Sequence, residues 1–184
     1  METIRAFLES TGIWKFLEGI ETSTFPTWIN EGFILDTFDV YYVLLAFHSL
    51  GMAIVVGICF IISARLLGYG QAFPLADAAR LLPLGWYGFA LNLSSGLLLF
   101  IAKARRELVT IVYDLKMLMI VAACVTMVML GRVIRSIEVV PQADGTYVES
   151  VPAQARLLAV TCSLFWLMAV GAGRMIAFMH PPPF

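Results

Sequence analysis

In this chain of 184 residues, 60% are hydrophobic and only 14% charged, and the mean hydropathy is +0.88. That balance lies far outside soluble-domain usage and reads as one bilayer-embedded domain. The formal net charge of -1 provides no bulk attraction to nucleic acid, which excludes that class of partner. Cys59, Cys124 and Cys162 all sit inside apolar runs without C-x-x-C spacing, so no disulfide framework is expected.

Residues 1–37 come first. Ile4, Phe7 and Leu8 share one face; after a Ser10-Thr11-Gly12 break, Ile13, Phe16, Leu17 and Ile20 repeat at i, i+3, i+4, i+7. Two short amphipathic helices at the membrane interface are predicted, with Trp14 and Trp28 at headgroup level and Pro26 marking the connection onward. Glu2, Arg5, Glu9, Lys15 and Glu18 interrupt the opening stretch, so no cleavable signal peptide is expected and the first span acts as its own insertion signal.

Residues 38–180 read as a four-transmembrane-helix domain. No charge falls between Val40 and Ala64, a run longer than the roughly 30 Å hydrocarbon core at about 1.5 Å per residue. After a loop with Gly68, Gly70 and Pro74, and a short segment carrying Asp77 and Arg80, a second span runs over 84–102. The third covers about 113–134, its start blurred between 108 and 114 by Asp114 and Lys116, and the fourth covers 157–179, closed by Pro181-Pro182-Pro183. Between them, residues 136–152 show apolar runs around Ala143-Asp144-Gly145, the signature of a small extramembrane β-hairpin. The fold class expected is an all-α integral membrane four-helix bundle, multi-pass, in the inner (cytoplasmic) membrane.

Four spans place both termini on one side. Lys and Arg counting does not orient the bundle, because Arg5, Lys15, Lys103, Arg105 and Arg106 balance Arg65, Arg80, Arg132, Arg135 and Arg156. The acidic N-terminal segment is easier to translocate than the Arg-flanked loops, which favours termini outside the cytoplasm.

Ionisable groups inside hydrocarbon are costly and usually face a bundle interior, so the few present carry most of the functional signal. They are His48, Lys116 and Arg174, with uncharged Asn92 beside them. Counted from the terminal side, His48 lies roughly 10 Å deep, Arg174 roughly 7 Å deep and Lys116 within about two turns of its helix start. One imidazole and two cations at similar depth imply an anionic ligand. Haem b fits: His48 as axial metal ligand, Lys116 and Arg174 meeting the propionates, and glycines and rings, including Gly96, Trp86, Tyr87 and Trp166, around the macrocycle. A quinone headgroup or a lipid phosphate would use the same residues. Met52 and Met175 stand at heights suited to a second axial ligand, whereas His180 lies beyond the end of helix four.

The plainer readings are snorkelling for Lys116 and Arg174, and close helix packing for small pairs such as Ala53/Gly57 and Ala169/Gly173. Copper is the competing metal, because nine methionines and three cysteines are soft ligands. However, the Met117/Met119 and Met127/Met129 pairs point to different helix faces, and Cys59 and Cys162 fall near the opposite leaflet from His48. No Ser/His/acid grouping, metal-protease motif or phosphate-binding glycine loop is present, so no complete catalytic constellation is seen. Two function classes therefore stand: a haem-b protein that transfers electrons or anchors an oxidoreductase, and a cofactor-free accessory subunit of a larger membrane complex or oligomer. Copper handling is the third.

A family resemblance adds to this. Phe47-His48-Ser49-Leu50-Gly51, Ala64-Arg65-Leu66-Leu67-Gly68, Arg80-Leu81-Leu82-Pro83, Trp86-Tyr87-Gly88-Phe89-Ala90, Ser95-Gly96-Leu97-Leu98-Leu99-Phe100, Leu115-Lys116-Met117-Leu118, Trp166 and Gly173-Arg174 carry it. Over about residues 38–180 the chain is similar to uncharacterised bacterial four-helix membrane proteins. More distantly it resembles the membrane protoporphyrinogen oxidase and copper-resistance D families. The resemblance implies a haem role for His48, supported by Lys116; it departs from the oxidase pattern at the aliphatic run around Val55 and at Ala64-Arg65.

Overall fold

The computed structural model describes residues 2–34, 37–70, 74–137, 139–141 and 147–179. Four helices are long and apolar enough to cross a bilayer. They are contained in α4 (Val40–Leu66), α6 (Leu82–Ala102), α8 (Ile111–Arg135) and α9 (Ala153–Met179). Helix is the form that satisfies every backbone N–H and C=O within one segment in lipid. The chain is thus an all-α, multi-pass membrane bundle.

Around the spans lie α1 (Glu2–Ser10), α2 (Ile13–Glu21), α3 (Thr24–Glu31), α5 (Leu75–Ala79) and α7 (Ala104–Leu108), with the strand pair β1 (Phe33–Ile34) and β2 (Phe38–Asp39). The sequence break at Ser10-Thr11-Gly12 falls between α1 and α2, where Gly12 takes φ 75°, a left-handed value that glycine adopts without strain. Helix α3 was not expected, because Pro26 reads as a connector. The proline stands in the first turn, where backbone N–H groups have no intrahelical partner, so it helps to begin a helix. Pro83 does the same for α6, which starts two residues before the expected 84. Helix α9 also begins earlier than expected, at Ala153, because its polar first turn dilutes the hydropathy without weakening helix propensity.

The expected hairpin is present as β3 (Val139–Pro141) paired antiparallel with β4 (Tyr147–Glu149), in register Val140 opposite Val148. Its Asp144-Gly145 turn lies outside the described residues, as do His180 and the prolines that follow.

Helix α4 packs along α6, α8 packs along α9, and α4 joins the two pairs through α9; α6 and α8 run further apart. The main core occupies the half of the bundle remote from the termini: Val55, Ile58, Cys59 and Ile62 on α4, Ala123, Met127 and Leu130 on α8, and Ala159, Cys162 and Trp166 on α9. Lipid is as apolar as leucine, so close packing and interhelical hydrogen bonds hold this half together. Ser63 Oγ donates to the Ala159 carbonyl at 3.0 Å, and Ser163 Oγ donates to Ser63 Oγ at 2.9 Å. The closest helix approach is Gly51 against α6, where a Cβ would lie 2.6 Å from Asn92 N and 2.7 Å from the Gly88 carbonyl. Gly57, expected with Ala53 to let a neighbouring helix approach closely, faces open space instead.

On the terminal side, α1 to α3 form a collar. Asn30 Nδ2 donates to the Ala102 carbonyl at 3.0 Å, capping α6, and Asp39 accepts from the Tyr41 N–H at 2.9 Å at the start of α4.

Candidate functional site

Just under one turn from the Gly51 contact, toward the termini, α4 carries His48 against α6. Two reciprocal hydrogen bonds fix the pair: Asn92 Nδ2 donates to the His48 carbonyl at 2.8 Å, and His48 Nδ1 lies 2.9 Å from the Asn92 carbonyl. A carbonyl only accepts, so Nδ1 carries the hydrogen. In the neutral ring Nε2 then keeps its lone pair, and among the described residues it takes no hydrogen bond. Ser95 Oγ stands 3.4 Å from Nδ1 but spends its hydrogen on the Leu91 carbonyl at 2.6 Å.

Gly96 makes room for the ring. A Cβ there would sit 2.9 Å from His48 Cε1. The Lys116 side chain on α8 lies along Gly173 of α9, where a Cβ would be 3.8 Å from Nζ, within electrostatic range of the His48 ring. All four spanning helices thus contribute at one level: His48, Asn92 with Ser95 and Gly96, Lys116, and Gly173. Both His48 and Lys116 are half-buried, and from Ile111 to Ala122 no residue of α8 is fully buried. This level borders the wall between α6 and α8, which pair chiefly with α4 and α9. Phe100 and Tyr113 stack across that wall nearer the surface, with ring centroids 5.6 Å apart.

Of the residues singled out from sequence, the structure brings together His48, Asn92 and Lys116. Arg174, next to Gly173, is exposed on the outside of α9. Trp166 lies in the packed half, 1% exposed, edge-on to Phe89 at 6.2 Å, its indole N–H near the Cys59 and Cys162 sulfurs without a well-formed hydrogen bond. Trp86 and Tyr87 face outward, as does Met175 at 56% exposure, while Met52 is half-buried. Among the described residues no three His, Cys, Asp or Glu side chains gather as a metal group, and Met127 serves as core filling.

Sequence reasoning missed a second polar centre, which docks the collar. The Arg105 main-chain N–H and Nε donate to the two Glu21 carboxylate oxygens at 2.7 and 2.5 Å, and Nη1 reaches Glu18 at 3.0 Å. The Glu21 carboxylate holds the guanidinium above its ordinary pKa. Arg5 and Arg105 both approach the Trp14 ring, at 5.2 and 5.6 Å. Residues 84 positions apart form this contact, and no local spacing announces it.

No family model, curated protein or solved structure matches the chain.

Proposed function

We propose that this is a haem-b-binding protein of the cytoplasmic membrane that passes electrons, or anchors an oxidoreductase, within an oligomer or larger membrane complex. The observation that carries the reading is the His48 tautomer. A ring whose Nδ1–H is held by a backbone carbonyl presents Nε2 as a lone pair of fixed direction, the arrangement found behind histidine ligands of metals. A purely structural histidine in lipid is expected to use both nitrogens.

The residues present fit the group in three ways. His48 Nε2 would hold the iron, Lys116 would meet a carboxylate, and Gly96 and Gly173 admit the imidazole and the lysine chain between the helices. When bound, haem b supplies a one-electron couple. The chain sets its surroundings: the Asn92 carbonyl orients the imidazole and strengthens it as a donor, Lys116 offsets negative charge, and the apolar walls limit water. Arg174, exposed beside Gly173, meets anionic groups only where they emerge at the bundle surface. This reading also makes His48 and Lys116 counterparts of the first-helix histidine and third-helix lysine of the membrane protoporphyrinogen oxidase family.

A pyridine haemochrome spectrum of detergent-purified protein tests the proposal. Stoichiometric haem b, lost in His48→Ala and reduced in Lys116→Gln, is expected. Haem-free protein from well-expressing, haem-supplemented cells, or unchanged haem content in His48→Ala, would overturn it.

A further inference from the structure

A cavity of about 380 Å³ opens at the terminal end of the bundle, lined by Trp14, Glu21, Ala102, Lys103, Arg105, Arg106 and Val109. We propose that it is a headgroup site for an anionic phospholipid. The site is separate from the His48 centre and does not depend on the haem reading.

Its depth is the first argument. Ala102 is the last residue of α6 and Val109 stands just before α8, so the cavity lies where two spanning helices leave the hydrocarbon. The phosphate layer of a bilayer occupies that level. Charge is the second. Three cations line the cavity against one carboxylate, and Glu21 is engaged by the Arg105 N–H and Nε, with Glu18 taking Nη1. Beyond the lining, the nearby charges are Lys15 and Glu18 on α2, Glu107 on α7, and Arg5 and Glu9, paired with each other at 2.9 Å on α1. The lining therefore keeps a net positive character that suits a phosphate diester.

The third argument is the frame. Trp14 is a typical interfacial ring, and the two guanidiniums flank it. Lys103 Nζ is held 3.8 Å over the centroid of the Tyr41 ring, which steadies a side chain that would otherwise be mobile. Exposed Phe7, Ile13 and Phe16 give the same collar an apolar surface for acyl chains. A zwitterionic headgroup would bring its own ammonium against Lys103 and Arg106. An anionic headgroup brings none, which is the source of selectivity.

The experiment uses full-length protein in neutral detergent, with phosphatidylglycerol, phosphatidylcholine or inorganic phosphate added, read by thermal unfolding and by lipid retained in native mass spectrometry. Phosphatidylglycerol should raise the unfolding temperature and remain bound, and phosphatidylcholine should do neither. The double variant Lys103→Ala/Arg106→Ala should bind phosphatidylglycerol roughly tenfold more weakly or worse. Arg132→Ala/Arg135→Ala, at the opposite end, should bind it as the unmodified chain does, and Lys103→Arg/Arg106→Lys should retain binding if the double alanine variant misfolds. Equal responses to both lipids, or undiminished binding in the double alanine variant with binding also unchanged in Lys103→Glu, would overturn the proposal. So would inorganic phosphate reproducing the whole effect, which would assign the cavity to a free anion.

Discussion

The two halves of the bundle are built from the same four helices yet obey different rules. Remote from the termini, Ile62, Leu130, Cys162 and Trp166 are almost wholly buried, and hydroxyl groups on α4 and α9 bond across the interface. Nearer the termini, His48 and Lys116 are half-buried, no residue of α8 from Ile111 to Ala122 is fully buried, and Gly96 and Gly173 accommodate the two polar side chains. A helix pair in lipid gains stability only where surfaces interlock. A half with fewer buried side chains that places an imidazole and an ammonium between its helices is the less stabilised of the two. If haem binds as proposed, the packed half is the scaffold and the terminal half holds the group.

Substitutions in the two halves should therefore separate stability from binding, and they are ordered here by expected loss of unfolding free energy. Trp166→Ala empties the largest buried side chain and should cost about 3 kcal/mol in detergent denaturation while leaving haem content per folded molecule unchanged. A comparable haem loss would mean that the halves are not independent. Gly51→Ala drives a methyl into the backbone of α6 and should cost about 2 kcal/mol; it should also disturb haem binding, because Asn92 moves with that contact.

Arg105→Ala removes the collar's link to α7. With Glu21 largely buried and Arg105 partly exposed, a loss of about 1–2 kcal/mol is expected, smaller at high salt, and protease access to residues 1–30 should rise. His48→Ala removes one hydrogen bond between α4 and α6, about 1 kcal/mol at most, yet should abolish haem binding. Its stability measured in haem-free protein sharpens the contrast with Trp166→Ala most directly. Arg174→Gln, on an exposed position, should change stability by less than about 0.5 kcal/mol. A large loss there would place Arg174 in the interior after all.

Much of the fold was legible because lipid imposes one strong constraint. Every apolar run long enough to span became a helix, and the Asp-Gly pattern at 136–152 marked a real strand pair. The errors share a cause. Pro26 reads as a break because proline stops a helix in its interior, yet it stands in a first turn, where it is welcome, as Pro83 does in α6. At the candidate site, depth counting placed His48 and Lys116 in the same half, and they do lie near one another. Depth says nothing of azimuth, however. Counting therefore could not separate Lys116, lying along Gly173 toward His48, from Arg174, one residue away in sequence and facing out.

The sequence by itself determined the number of spans, their approximate limits, and which few ionisable residues enter the membrane, because hydropathy and charge are one-dimensional properties that a bilayer reads directly. Only the tertiary structure decided that Asn92 fixes the tautomer of His48, that α6 and α8 pair with α4 and α9 rather than with each other, and that Arg105 clasps Glu21 to close the collar. Those features depend on helix rotation and pairing, which are set by glycine contacts and side-chain fit between segments far apart in the chain.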